Sequence, residues 1–204
     1  MKKVAAITIT YNRLELTKRT VKSFYEKTNV DYHLFIDNGS TDGTREFLED
    51  YYRMQLKKNV GIAAAFAYAV NQIPDEYDYI LKLDNDIETV SEDIVNEMVR
   101  FLETSGAHAV SPLDGMIDPN YYPQVLRTEK LNGFNVQYTS HTGGAFQLAP
   151  TAHVKKMCRD FSHLKLGDYA IGSYYRRIKC PPAYLTDLLM NHIGLNQSSQ
   201  NYIL

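Results

Sequence analysis

Two rhythms of apolar and polar positions alternate along the first half of the chain. VAAITIT (4–10) is a short β-type run, and behind it Leu14, Thr17, Val21 and Phe24 recur at helical spacing with charges between them. YHLFID (32–37) predicts a second strand. It ends in NGSTDGT, a loop whose Ser40, Thr41 and Asp42 are candidate caps for a helix carrying Phe47, Leu48 and Tyr51. RMQLKK offers a third, short strand, and GIAAAFAYAVNQI (61–73) predicts an Ala-rich helix that must end before Pro74. YILKL then leads a fourth strand into Asp84, Asn85 and Asp86. A helix over SEDIVNEMVRFLET, with Ser91 as its candidate cap, and a strand in AHAVSPL follow. Strand-type runs alternating with helix-type runs predict an α/β fold, a mostly parallel sheet covered by helices.

The rhythm breaks in the second half. From Pro112 to Tyr138 the chain carries Gly, Pro, Asn and the pair Tyr121 and Tyr122, which predicts loops and a hairpin instead of another crossover unit. GAFQLAP (144–150) predicts a strand with a helix starting near Thr151, and GDYAIGSYYRRI (167–178) a helix behind a loop. AYLTDLLMNHIG (183–194) ends the ordered core, and the polar LNQSSQNYIL reads as a tail.

Composition narrows the classes. The chain has 204 residues, 44% hydrophobic and 23% charged, which predicts a single globular domain with its own core. A net charge of −2 gives no electrostatic footprint for nucleic acid. The apolar run at the N-terminus is too short and too soon interrupted for a signal peptide or a membrane span, and the expected location is cytoplasmic. Cys158 and Cys180, without CxxC spacing, are expected to be packed thiols in a reduced compartment. A homo-oligomer is compatible with a chain of this size.

Ligands of open α/β sheets bind beyond the carboxyl ends of the strands, and here three successive predicted strand ends carry unusual polar chemistry: TYNR, DNGSTDGT and DND. No G-x-G-x-x-G follows the first strand and no G-x-x-x-x-G-K-[ST] occurs, which disfavours dinucleotide dehydrogenases and P-loop enzymes. Asp84, Asn85 and Asp86 fit either a polar turn or a site where hard oxygen ligands hold a divalent cation, Mn2+ or Mg2+, together with phosphates. Gly61 before Ala63, Ala64 and Ala65 suits close approach of phosphate to a helix start, and equally suits close packing of helix on sheet.

The order TYNR, DNGSTDGT, NVGIAAA and LDNDIE across roughly residues 4 to 90 resembles the nucleotide-sugar half of the inverting family 2 glycosyltransferases. The resemblance implies a GT-A fold, a Rossmann-like α/β/α sandwich, with residues 1–110 binding the nucleotide sugar and 111–204 the acceptor. It implies that Thr10, Tyr11 and Arg13 line the nucleotide site, that Asp37 or Asn38 reads the base, and that Gly61 lies along the ribose and diphosphate. In the DxD pair, Asp84 would face the ribose or an aqua ligand, with Asn85 between, and Asp86 would bind the divalent cation. HTGGAFQLAP resembles the family's donor-sugar and acceptor cleft, so Gly143 and Gly144 would allow close approach of sugar. NHIG matches a late His-x-Gly signature, making His192 a further metal ligand. Asp168 matches the catalytic aspartate, while Gly167 stands where an acidic neighbour is usual, which puts the acceptor geometry in question.

The implied reaction is direct displacement on a nucleoside-diphosphate sugar, UDP-sugar by default, with inversion. Asp168 would deprotonate the acceptor hydroxyl, borne by a glycan, glycolipid or protein. Two other classes fit parts of the pattern. A nucleotidyltransferase that makes sugar nucleotides would carry a Gly-rich basic loop where TYNRLELTKR stands. A non-catalytic nucleotide-sugar sensor would need neither Asp168 nor His192.

Overall fold

Strand β1 (Val4–Thr10) is buried along its whole length, as expected of a strand covered on both faces. In this computed structural model, which describes residues 2–116, 123–141, 143–160 and 174–194, β1 lies between two parallel neighbours. These are β2 (Tyr32–Asp37) and β4 (Tyr79–Leu83), and β3 (Arg53–Gln55) extends the sheet beyond β2. On the other side follow β9 (Phe146–Pro150), β6 (Val110–Asp114), β10 (Ala183–His192), β8 (Phe134–Thr139) and β7 (Val125–Leu131). A short β5 (Ile87–Thr89) pairs with β10 off this path. Strands β1, β2, β3, β4, β6, β7 and β10 run one way and β5, β8 and β9 the other, so the strands are mostly parallel, as the alternating pattern predicted.

Helices cover both faces. On one, Phe24 of α1 (Leu14–Lys27) and Met98 and Phe101 of α4 (Ile94–Ser105) pack on Ala6, Leu81, Leu83 and Phe146. On the other, Ala65, Ala69 and Val70 of α3 (Ile62–Gln72) and Val154 and Met157 of α5 (Thr151–Asp160) pack on Ala5, Ile7, Ile36 and Ile80. Alternate residues of β1 serve the two clusters, the period-2 rule of a strand with two buried faces. Each of these large side chains contributes roughly 1.5–3 kcal/mol by leaving water.

Local details differ from the sequence reading in physical ways. The helix expected around Phe47 is short, α2 (Thr44–Phe47) followed by a 3-10 turn over Leu48–Asp50, and it starts behind Gly43 without a side-chain cap. Asp42 instead accepts the Thr44 N–H at 3.1 Å and the Leu14 N–H at 2.9 Å, so it supports two helix starts from between them. Ser91 does not cap α4. That helix begins after Asp93, whose backbone is left-handed at φ 50, and Ser91 Oγ accepts the Leu189 N–H of β10 at 2.8 Å. The expected hairpin exists as β7 and β8 joined through Asn132 and Gly133.

Strand β10 carries an irregularity that matters for the site. Leu185 pairs with Pro112 but Leu189 pairs with Leu113, so three residues of β10 bulge out against β6. Pro112 has no N–H to give to the ladder, and a proline inside a sheet is tolerated at such a break. Thr186 and Asp187 bond Asn135 of β8, which anchors the bulge.

Gly39 follows the end of β2 with φ +91, and a Cβ there would lie 2.8 Å from the Lys58 carbonyl carbon and 2.9 Å from the Asn59 nitrogen. Backbone cannot yield as a flexible side chain can. Gly39→Ala is expected to destabilise the fold on the order of 3 kcal/mol, read as a lowered urea midpoint. An unchanged midpoint would refute the close approach of these two loops.

Candidate active site

The carboxyl ends of five parallel strands meet along one edge of the sheet. They present Thr10 from β1, Asp37 from β2, the segment after Leu83 of β4, Asp114 from β6 and His192 from β10. This is where open α/β sheets bind ligands.

Two loops on this edge are stitched together by the residues that the sequence singled out. Asn12 N–H donates to Ser40 Oγ at 2.9 Å, and Asn12 Oδ1 accepts the Thr41 N–H at 2.9 Å. Asp37 is fully buried. Its carboxylate accepts the Ser40 N–H at 3.0 Å and pairs with Arg45 Nε at 3.2 Å. Asn38 gives its amide to Asn59 Oδ1 and accepts the Val60 N–H, both at 3.0 Å, so it braces the turn that leads to Gly61. Gly61 itself has φ 83, and nothing lies within 4 Å of where a Cβ would stand. Its glycine therefore answers to backbone conformation, not to packing. Thr10 is buried with its hydroxyl on the Ile36 carbonyl at 3.3 Å, while Tyr11 is exposed.

Beyond β4 a turn through Asn85 and Asp86 separates the three polar residues. Asn85 donates to Thr17 Oγ1 of α1 at 3.1 Å and faces that helix. Asp86 sits among charged partners: Arg13 Nη1 is 2.7 Å from Oδ2 and His192 Nε2 is 3.2 Å from Oδ1. Both sides of the Arg13 pair are largely buried, at 15% and 8% side-chain exposure, so solvent screens it little. Asp84 pairs with Lys82, whose ammonium also donates to the Gly144 carbonyl at 2.6 Å. Gly143 N–H donates to the Tyr184 hydroxyl at 2.7 Å, so the two glycines are placed by a buried tyrosine and a partly buried lysine. Asp168 lies outside the described residues.

The two aspartates are pushed apart electrostatically. Burial raises the Asp84 carboxyl above its usual range, and the Asp86 charge adds to it against the pull of Lys82. Burial acts the same way on Asp86, but the hydrogen bond and charge of His192, then Arg13 and Lys82, outweigh it and hold that carboxyl low. For His192, burial opposes the charged ring, and Asp86, with Asp84 and Asp114 behind it, overcomes this and raises the imidazole above its ordinary 6.5. The stabilisation from a raised histidine is complete below pH 6.5 and is lost as pH climbs through the folded value. That from the lowered Asp86 is present above its ordinary 3.8 and is lost as pH falls through the folded value. Raising pH from 6 to 8.5 is thus expected to lower the stability of the wild type more than that of His192→Gln. Paired urea titrations check it, and equal changes in both proteins would refute it.

Asp114 and Lys82 escaped the sequence reading. Asp114 Oδ1 accepts the His192 backbone N–H at 3.2 Å and the Met116 N–H at 3.0 Å, which positions His192 from behind. The same strand-end rule that nominates Asp84 would have nominated it. Lys82 is a charge inside an apolar strand, a signal in its own right. Gly194 also belongs to the site: a Cβ there would stand 2.1 Å from Asp86 Oδ2.

Among the described residues no group of three or more His, Cys, Asp or Glu is arranged to hold a metal ion. The donors present instead fit an ion that the protein holds by a pair. Adjacent ligand atoms around a small divalent cation with bonds of ~2.1 Å are roughly 3 Å apart, and such ions commonly take their other ligands from phosphates and water. Asp86 Oδ1 and His192 Nε2, at 3.2 Å, meet that spacing.

The family described as glycosyl transferase family 2 matches residues 5–155, which spans every strand from β1 to β9. Comparison with curated proteins gives no match. Among solved structures, TarS 1-349 of S. aureus superposes with a TM-score of 0.71 at 17% identity, over 92% of this chain and 59% of that one. The mannosyltransferase PcManGT of Pyrobaculum calidifontis, in complex with GDP-Man and Mn2+, gives 0.67 at 18%, over 94% and 56%. GalNAc-T7 with UDP, GalNAc and Mn2+ gives 0.70 at 13%, over 93% and 43%. The fold is that of the GT-A glycosyltransferases, and the chain spans roughly half the length of these structures. No helix among the described residues is long and apolar enough to cross a membrane.

Proposed function

Because the chain belongs to glycosyl transferase family 2, we propose that it moves a sugar from a nucleoside-diphosphate sugar to an acceptor hydroxyl, with inversion at the anomeric carbon. The observation that carries this reading is Asp86 held between Arg13 and His192 where the parallel strands end. Asp86 and His192 would hold Mn2+ or Mg2+. The bound ion supplies a Lewis acid for the charge that grows on the departing diphosphate.

The chain's own residues do the rest. The loops after β1 and β2 and the turn at Gly61 line the nucleotide, with Tyr11 free to offer a ring face and Arg13 a guanidinium. Lys82 keeps Gly144 in place by its carbonyl and Tyr184 keeps Gly143 by its amide, so the small-residue segment can admit a sugar without shifting. Asp168 takes the acceptor proton as general base. The loop after β1 places Asn12 and Arg13 in left-handed backbone and holds no Gly-rich stretch, which argues against the nucleotidyltransferase reading.

A thermal-shift panel of UDP, GDP, CDP, dTDP and ADP, each with and without Mn2+, tests the proposal on the wild type and Asp86→Ala. One diphosphate should stabilise the wild type in a cation-dependent way, by about 2.7 kcal/mol at a hundredfold excess over Kd, and should fail on Asp86→Ala. Asp168→Asn should keep that shift and lose transfer. No shift with any of the five would sink the proposal.

A further inference from the structure

Asp86 is constrained on every side that the structure describes. Oδ1 faces His192, Oδ2 accepts from Arg13 Nη1, and the Asp86 carbonyl accepts the Ile193 N–H at 2.9 Å. The backbone at Gly194 lies directly against the carboxylate, since a Cβ there would overlap Oδ2 at 2.1 Å. A divalent ion that needs this carboxylate thus meets a guanidinium already seated on it.

Holding Arg13 there has two local costs. Its other terminal nitrogen, Nη2, is buried with no hydrogen-bond partner among the described residues. A buried donor left unsatisfied is costly. Its backbone and that of Asn12 are both left-handed, at φ 64 and φ 56, a conformation uncommon outside glycine. A buried guanidinium with one engaged and one unsatisfied nitrogen is half of the fork that binds phosphate oxygens in bidentate fashion.

From this arrangement we infer that Arg13 is a resident cation on Asp86, one that an incoming diphosphate draws away, so that divalent metal and nucleotide bind with positive coupling. The inference rests on the reading of Asp86 and His192 as donors to the ion. Without a diphosphate, the guanidinium and a divalent ion compete for one carboxylate and repel each other. With it, phosphate oxygens take both guanidinium nitrogens, Nη2 gains an acceptor, and Oδ2 is released. Coupling of this kind is reciprocal: the nucleotide tightens the ion by the same factor as the ion tightens the nucleotide.

The experiment titrates Mn2+ alone into wild type, Arg13→Gln and Arg13→Lys and follows free Mn2+ by electron paramagnetic resonance. Arg13→Gln should bind the ion at least tenfold tighter than wild type, and Arg13→Lys, which keeps a cation beside Asp86, should stay within threefold of it. Repeating the titrations with UDP and with GDP, with protein-free controls for chelation, should tighten Mn2+ on the wild type at least tenfold for one of the two and on Arg13→Gln less than threefold. Arg13→Gln binding no tighter than wild type would overturn the inference. Should that variant fail to fold, the wild type carries the test alone, because absence of nucleotide coupling overturns the inference equally. The substitution Asp86→Ala separates the failures. If it abolishes Mn2+ binding while Arg13→Gln gains nothing, only the role of Arg13 falls; if Mn2+ binding survives it, the assignment of Asp86 falls too.

Discussion

Exchanging Asp86 for asparagine is expected to lower sugar transfer by about a thousandfold or more. Asparagine keeps the shape and one acceptor oxygen but removes the charge on which Arg13 and His192 converge. The loss should fall on kcat, because the charge matters most when negative charge develops on the leaving group. Stability should fall as well, by about 1–3 kcal/mol, since two cationic partners lose a buried counter-charge and asparagine can still accept from one of them. Transfer assays over a Mn2+ series, run well below the unfolding midpoint, separate the two effects. Activity within tenfold of wild type would remove Asp86 from the chemistry.

Gly194→Ala should cost on the order of a hundredfold in kcat, through displacement of the same carboxylate. The added Cβ would sit 2.1 Å from Oδ2 and 2.7 Å from both Cβ and Cγ of Asp86, contacts that no real structure sustains. Something must move, and Asp86 is bound to Arg13 on one side and His192 on the other, so the pair geometry is what gives way. A raised Mn2+ requirement should accompany the slower turnover, while far-ultraviolet circular dichroism stays that of the wild type. Turnover within threefold of wild type would show that the segment after β10 yields freely and that the close approach has no catalytic weight.

Much of this site was readable from the chain because strand ends announce themselves. β1, β2 and β4 are mostly apolar runs that stop at polar residues, and they lead straight to Arg13, Asp37, Asp84 and Asp86. His192 stood out only through its resemblance to a family signature. The reason is local: β10 reaches it across a bulge opposite Pro112, and no single period spans residues 183 to 192. β5 was missed for a related reason, since three residues hold too little alternation to be seen as a strand. Asn85 is grouped with its neighbours in sequence, whereas the turn it occupies faces it toward Thr17 and α1. Gly194 shows the limit most plainly: a close approach between residues far apart in the chain leaves no periodicity to read.

The place of β9 bears on how such a molecule is made. It comes late in the chain, yet it lies between β4 and β6, two strands that precede it by many residues and do not pair with each other. A chain emerging from the ribosome can therefore pair β1 with β2 and β4 early, but β6 has no neighbour until β9 and then β10 arrive. Strands β1 to β4 stand together on one side of the sheet and β6, β7, β8 and β10 on the other, and β9 is the strand that joins the two blocks. Pairings of such long sequence separation fold slowly, and the exposed flank of β4 is in the meantime the surface most in need of protection.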